Sequence, residues 1–261
     1  MALDERGHRE SDFWGHHIPD LAECLAEYHA GPDPNTEAML RAIEPVAGAR
    51  VLDFACGGGV TSAWLASRDA EVVGVDLSPH SLARAREVHE ALGLKATFVP
   101  TLEEAGAGGL FDAMVGRYAL HHTDVPALAP DLAELVREGG KGAFVETFST
   151  NPVLKLARGT LTGRAGIPKY GTEDERPLDG GDIAALQSAF GHADVECKQM
   201  HFLRIFDRQV LRYRWPVLSK VLGGIDDAIG VIPRSEALSY FQVVVVRRDG
   251  RSGGLAPTDP T

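Results

Sequence analysis

Residues 51–59 read VLDFACGGG, a short apolar run with one acid that is followed by three consecutive glycines. A short apolar run that ends at a glycine is typical of a strand buried on both faces of a parallel sheet. Glycine lets the turn after such a strand adopt unusual backbone angles and approach a ligand closely. The stretch therefore predicts an early strand of a parallel sheet and a ligand-binding turn at its carboxyl end.

Strands and helices alternate along most of the chain around this stretch. The spacing of apolar residues predicts helices over 20–30, 35–43, 61–68, 78–93, 125–138 and 181–190, and strands over 50–55, 71–76, 96–100, 110–116, 141–147, 193–202 and 239–248. This order implies a sheet that helices cover on both faces, and right-handed crossovers favour the doubly wound form. We therefore expect an α/β protein.

Two long segments interrupt the alternation in the last part of the chain. Residues 150–180 are rich in glycine, proline and charge, and residues 203–237 have helical apolar spacing. Long segments of this kind inside a domain usually serve function, so both are expected to cap a binding site. Residues 1–11 and 249–261 are polar, which predicts disordered tails around a single domain over 12–248.

Composition narrows the class of protein. The 261 residues are 44% hydrophobic, enough for one ordinary core, and no apolar run approaches the roughly 20 residues that span a bilayer. The polar start is unlike a secretory signal, so a cytoplasmic protein without membrane association is expected.

The charge and the cysteines exclude two further classes of protein. The net charge is −11, so the chain does not have the excess of basic residues on which nucleic-acid binding normally rests. Three isolated cysteines, Cys24, Cys56 and Cys197, predict neither disulfides nor a zinc site.

The glycine turn fits a phosphate ligand poorly. The dinucleotide pattern GxGxxG would need a glycine where Ser62 stands, and no GK[ST] of a phosphate loop follows. Asp53 precedes Gly57 by four residues, and its charge would repel a pyrophosphate but attract a cation. S-adenosylmethionine (SAM) has no phosphate and carries an ammonium and a sulfonium. Asp76, at the end of the second strand, is placed to accept hydrogen bonds from ribose hydroxyls.

Further motifs follow the glycine turn in a specific order. VVGVDLS (72–78), TLEE (101–104), GRYALHHTD (116–124) and LVREGGKGAFVE (135–146) come after it. Over roughly residues 45–148 the chain resembles the class I SAM-dependent methyltransferases, although Ala55 stands where their motif has its first glycine. The resemblance implies a Rossmann-like, seven-stranded sheet whose last strand is antiparallel, with helical cap insertions and SAM as cofactor. It places the cofactor contacts at Asp53, Ala55, Gly57, Gly59, Asp76, Leu77, Thr101, Leu102 and Arg117.

The segment 98–150 looks most like the branch that contains the ubiquinone-biosynthesis O-methyltransferases. That branch has a Glu-x-x-Glu-His pattern, implicated in metal binding, where this chain reads Tyr118-Ala119-Leu120-His121-His122. Both glutamates are replaced, so no metal site is expected. His121 and His122 follow the fourth strand, where an imidazole can remove a proton from a hydroxyl during methyl transfer. We consider both as candidate catalytic bases, and His121 as the favoured one; a capping or packing role is the alternative.

The sequence as a whole predicts a methyltransferase that acts on a small, rather apolar metabolite, most readily at a hydroxyl. Phenols, polyketides and quinone-like compounds of secondary metabolism are the candidate acceptors. The alternatives are transfer to carbon or nitrogen, and a SAM-binding enzyme that steers a cyclisation or rearrangement without methylation. A nicotinamide-dependent oxidoreductase is disfavoured because the third glycine and a Tyr-x-x-x-Lys pair are absent. The oligomeric state is left open, with a homodimer as one option.

Overall fold

One seven-stranded sheet forms the centre of the protein. The computed structural model describes residues 18–148, 151, 176–211, 214–233 and 235–250. The strands are β1 (Arg50–Phe54), β2 (Glu71–Val75), β3 (Thr97–Val99), β4 (Phe111–Arg117), β5 (Val136–Thr147), β6 (Gly191–Glu196) and β7 (Phe241–Arg248). They lie in the order β3-β2-β1-β4-β5-β7-β6, and only β7 runs antiparallel to its neighbours. The predicted Rossmann-like sheet with an antiparallel last strand is confirmed.

Helices cover both faces of this sheet, as the alternation of elements predicts. They are α1 (Leu21–Ala30), α2 (Pro34–Ala42), α3 (Val60–Ala66), α4 (Pro79–Leu92), α5 (Leu102–Gly106), α6 (Val125–Leu135), α7 (Gly180–Phe190), α8 (Leu203–Phe206) and α9 (Pro216–Gly230). Met39 and Leu65 belong to the core on one face, which α1 to α4 cover. Leu132 and Leu186 belong to the core on the other face, under α5 to α7. Burial of these apolar side chains is the main stabilising contribution to the fold.

Two strand boundaries differ most from the expected ones, and the helix expected over 125–138 ends at Leu135. The strand expected over 193–202 ends at Glu196, which pairs with Val243. Beyond it the backbone N–H groups of Lys198 and Gln199 donate to Oδ1 of Asn35, at 3.1 and 3.3 Å, instead of to a strand. A side chain from α2 therefore ends β6, and apolar periodicity does not report such a contact. The strand expected from residue 141 begins at Val136, directly after α6.

The segment expected to form the second cap, residues 203–237, is largely helical where the structure describes it. After α8 come a π-helical turn (Asp207–Leu211), α9 and a 3₁₀ turn (Ser235–Leu238). The buried carboxylate of Asp226 on α9 accepts the backbone N–H groups at the start of α8, including that of Leu203 at 2.8 Å. Most of the predicted first cap, and both predicted tails except 249–250, lie outside the described residues, so these boundaries stay predictions. Within the described ranges no helix has the length and apolarity to cross a bilayer.

Candidate functional site

The glycine turn joins β1 to α3 at the carboxyl edge of the sheet. Gly57 has a φ of 51° and Gly59, the first residue before α3, has a φ of 77°. Both angles lie in the left-handed region that glycine adopts without strain. Ala55 has a φ of 54°, so it takes the same region at a cost of roughly 1–2 kcal/mol. Ala55 thus adopts the left-handed backbone conformation that Gly57 and Gly59 have, although alanine adopts it less readily.

Gly59 lies against α4, where a side chain has no room. A Cβ added to Gly59 would lie 2.8 Å from the Cβ of Ala85 and 2.9 Å from its Cα. We expect Gly59→Ala to lower the free energy of unfolding by about 1–3 kcal/mol more than Gly93→Ala does. Gly93 is the matched control, because its φ of 66° is also left-handed but nothing lies within 4 Å of its added Cβ. Urea denaturation measures both, and equal losses would contradict the close approach.

Asp76 follows β2 and connects the turn to the neighbouring strand end. Its Oδ2 accepts the backbone N–H of Gly57 at 2.9 Å, and its Oδ1 accepts that of Ser78 at 2.9 Å. Burial raises the pKa of this carboxyl above its ordinary value, and the two backbone donors oppose that rise. The structure therefore brings Asp76 and the glycine turn together, as the sequence predicts for a cofactor site.

The residues around the turn fit SAM. Each oxygen of a carboxylate has two lone pairs, so Asp76 can accept from ribose hydroxyls in addition to its backbone donors. Thr101, which follows β3, caps α5 by accepting the N–H of Glu104 at 3.1 Å, and Leu102 is the first residue of that helix. Leu77 is exposed beside Asp76. The predicted cofactor residues thus follow three adjacent strands at one edge of the sheet: Gly57 after β1, Asp76 and Leu77 after β2, and Thr101 and Leu102 after β3. Their contacts with SAM stay predictions.

Asp53 lies inside the protein behind the turn. Its side chain is 1% exposed, and its Oδ2 accepts the hydroxyl proton of Ser62 at 2.6 Å. Burial raises the pKa of this carboxyl from 3.8 to about 6, because an ion is poorly solvated there; the Ser62 hydrogen bond and the charge of Arg117 oppose the rise. Asp53 thus holds α3 against β1, and its attraction for the cofactor stays a prediction.

The raised pKa makes Asp53 a source of pH-dependent stability. Between about pH 4 and pH 6 the folded protein keeps the Asp53 proton while the unfolded chain loses it, so stability falls as the pH rises through that window. At 1.36 kcal/mol per pKa unit the loss is about 3 kcal/mol. We expect urea denaturation to show that the free energy of unfolding of the wild type falls by this amount between about pH 4 and pH 6, relative to that of Asp53→Asn, whose side chain cannot ionise. A difference that stays constant over the window would contradict the raised pKa.

Arg117 ties the first helix to the end of β4. Its guanidinium donates to Glu27 on α1 at 2.6 Å and lies 5.4 Å from the ring centroid of Trp64. Ile18, just before α1, is the side chain nearest to the added Cβ position of Gly57, at 4.0 Å. The start of the described chain therefore lies across the glycine turn. Trp14, His16 and His17 precede this point in the sequence, where N-terminal segments of similar methyltransferases often fold over the cofactor, and they lie outside the described residues.

The candidate base is buried beside a carboxylate. His121 is 5% exposed and lies in a 3₁₀ turn (Leu120–His122) after β4, and its Nδ1 is 2.7 Å from Oε2 of Glu146. Glu146, near the end of β5, is fully buried. The rings of His121 and His122 have centroids 4.0 Å apart. Among the residues that the structure describes, no group of three or more potential ligands has the arrangement of a metal site.

Sequence reasoning assigned no role to Glu146 or to Tyr118. The signal for Glu146 was its position: β4 and β5 are parallel neighbours, with Arg117 opposite Val145, so a residue that follows β4 meets one near the end of β5. Tyr118 has a φ of 59°, and its ring packs edge-on to Phe241 with centroids 5.3 Å apart. Desolvation raises the pKa of its phenol to about 12.

Comparison with known proteins agrees with this geometry. Residues 51–140 match the family described as "Methyltransferase domain". The ubiquinone biosynthesis O-methyltransferase of Xanthomonas axonopodis pv. citri (strain 306) is 35% identical over 128 residues, which is 48% of this chain and 53% of that protein. The chain therefore matches about half the length of that relative.

Solved structures agree in fold. A geranyl diphosphate C-methyltransferase from Streptomyces coelicolor A3(2), bound to S-adenosyl-L-homocysteine, superposes with a TM-score of 0.58 and 12% identity, over 95% of this chain and 100% of that one. A [4+2]-cyclase superposes with a TM-score of 0.56 and 15% identity, over 96% and 99%. At these identities the likeness concerns the fold alone. Residues 51–140 thus match a methyltransferase domain, and the chain has the fold that these solved structures share.

Proposed function

We propose that this protein transfers a methyl group from SAM to a hydroxyl oxygen of a small, rather apolar metabolite. The observation that carries the proposal is the convergence of three groups at the carboxyl edge of the sheet. The glycine turn follows β1, the carboxylate of Asp76 follows β2, and the imidazole of His121 follows β4. Ligands of doubly wound folds bind at this edge, where the strand order reverses.

Each group has a distinct task in the proposed reaction. When bound, SAM supplies an electrophilic methyl group, and the acceptor oxygen forms the new bond to it while the sulfur keeps the electron pair of the broken bond. Asp76 and the turn around Gly57 and Gly59 hold the ribose and the amino-acid part. His121 takes the proton of the acceptor hydroxyl, which makes the oxygen a stronger nucleophile. Helix α1, fixed by the Arg117–Glu27 ion pair, limits the access of water.

The chemistry of the acceptor is inferred from the surroundings of His121. Tyr118 and Phe241 present aromatic surface next to the 3₁₀ turn that holds His121, which favours an acceptor with a flat or apolar body. The name of the relative from Xanthomonas contains "O-methyltransferase", which favours oxygen over carbon or nitrogen. A quinone-like or phenolic compound of secondary metabolism is the acceptor class that we propose.

The proposal is tested by incubating the purified protein with SAM and a panel of hydroxylated aromatic and polyketide compounds. We expect release of S-adenosylhomocysteine together with a product heavier by one methyl group. Rearranged product without S-adenosylhomocysteine would instead favour the non-methylating alternative, and methylation of RNA or protein alone would overturn the small-molecule acceptor. In the same preparation, SAM and S-adenosylhomocysteine should raise the melting temperature, and NAD and NADP should not.

The remaining expectations belong to the same proposal. We propose a cytoplasmic enzyme with a small-molecule acceptor and no nucleic-acid partner, in line with the net charge of −11. Light scattering of the purified protein would decide between monomer and homodimer.

A further inference from the structure

Glu146 uses its two carboxylate oxygens for two different purposes. Oε1 accepts the backbone N–H groups of Ala119 at 2.8 Å and Leu120 at 2.7 Å. Oε2 accepts from Nδ1 of His121 at 2.7 Å and, over a longer 3.4 Å, from the backbone N–H of the same residue. One oxygen thus holds the backbone of the turn after β4, and the other holds the imidazole ring.

This division determines where the imidazole carries its proton. An ionised carboxylate can only accept hydrogen bonds, so Nδ1 of His121 must be the donor across the 2.7 Å contact. In a neutral ring the lone pair is then on Nε2. Both side chains are nearly free of solvent, at 5% exposure for His121 and 0% for Glu146, so water does not compete for this contact.

We propose that Glu146 is a positioning residue that keeps His121 in the Nδ1-protonated tautomer, with Nε2 as the base, and that stabilises the imidazolium formed in the reaction. The inference rests on the proposed function. In the step concerned, the acceptor O–H bond breaks and its proton forms an N–H bond with the lone pair of Nε2. The oxygen uses its electrons for the bond to the methyl carbon, and the sulfur keeps the pair from the broken bond. The positive charge that the sulfur loses thus appears on the imidazole of His121, which already faces the carboxylate of Glu146.

The two oxygens of Glu146 make one substitution especially informative. In Glu146→Gln the amide has one accepting oxygen and one donating NH₂ group. The oxygen must take the place of Oε1, because the backbone N–H groups of Ala119 and Leu120 both point there. The NH₂ group then faces Nδ1 of His121, which must become the acceptor, and the ring proton moves to Nε2. The shape of the side chain and both backbone hydrogen bonds at Oε1 are kept, while the lone pair of the His121 ring moves from Nε2 to Nδ1.

The experiment compares long-range ¹H–¹⁵N spectra of the imidazoles in the wild type, Glu146→Gln and Glu138→Gln, with His121→Asn to assign the signals. Glu138 is the matched control, because it lies on the same strand and is exposed. We expect proton on Nδ1 in the wild type and in Glu138→Gln, and proton on Nε2 in Glu146→Gln. With SAM and an acceptor, kcat of Glu146→Gln should fall by about 10²- to 10⁴-fold, as it does when the base itself is removed, while SAM affinity is unchanged.

Each outcome decides the matter. A neutral wild-type ring protonated on Nε2 would overturn the inference, and so would a switched tautomer with unchanged kcat. An equal loss in kcat and SAM affinity would assign Glu146 a merely structural role and overturn it too. If Glu146→Gln fails to fold, the wild-type spectrum still tests the tautomer. If the protein transfers no methyl group, the proposed function fails, and the spectra separately report whether Glu146 sets the tautomer.

Discussion

His121→Asn lowers kcat by about 10²- to 10⁴-fold and leaves the affinity for SAM unchanged, if His121 is the base. Asparagine places an N–H donor close to the position of Nδ1, so the 2.7 Å hydrogen bond to Glu146 has a replacement. What the substitution removes is Nε2. Turnover is measured as S-adenosylhomocysteine release at saturating acceptor, and SAM affinity by calorimetric titration.

The control for this prediction is another histidine at the surface. His192→Asn alters an exposed side chain on β6, so its turnover should equal that of the wild type. Unchanged turnover in His121→Asn would remove His121 as the base and leave His122, the neighbouring candidate. Equal loss of turnover and of SAM affinity would mean that His121 holds the structure of the site.

Asp76→Ala is expected to weaken SAM binding by roughly 100-fold, since hydrogen bonds to a charged partner contribute about 1.5–3 kcal/mol each. The carboxylate also accepts the backbone N–H of Gly57 at 2.9 Å, so its loss loosens the turn as well as the ribose contact. Calorimetric titration with SAM and with S-adenosylhomocysteine gives the two affinities, which should fall together because both ligands have the ribose.

A second aspartate separates this effect from a change in net charge. Asp131→Ala removes an exposed carboxylate from α6 and should leave both affinities as they are. Thermal unfolding without ligand shows whether Asp76→Ala remains folded. SAM affinity equal to that of the wild type would contradict the ribose assignment of Asp76.

The sheet and most helices could be predicted because their information is local. VLDFA and EVVGV are apolar runs that end at glycine or aspartate, and β1 and β2 lie where those runs predict. The end of β6 was not predictable in this way, because Asn35 determines it from 163 residues away. Contacts of that kind depend on how elements pack, which no local pattern reports.

The candidate site shows the same division. The glycine turn and Asp76 stand out because turn chemistry and strand ends are visible in the sequence. Glu146 looked like an ordinary acid in a strand of GGKGAFVET, and only the parallel pairing of β4 and β5 brings it to His121. The predicted base was therefore visible, whereas the residue that orients it became visible only with the fold.

Helices α1 and α2 belong to the smallest part of the chain that can fold. Both precede the matched segment 51–140, yet Cys24 and Met39 are buried in the core against β1, β4 and β5. A fragment limited to residues 51–140 would leave that face of the sheet in water and would also lose most of β5 together with β6 and β7. Limited proteolysis should therefore show the described elements from α1 to β7 protected as one cooperative unit, whose span is about two and a half times as long as the matched segment 51–140.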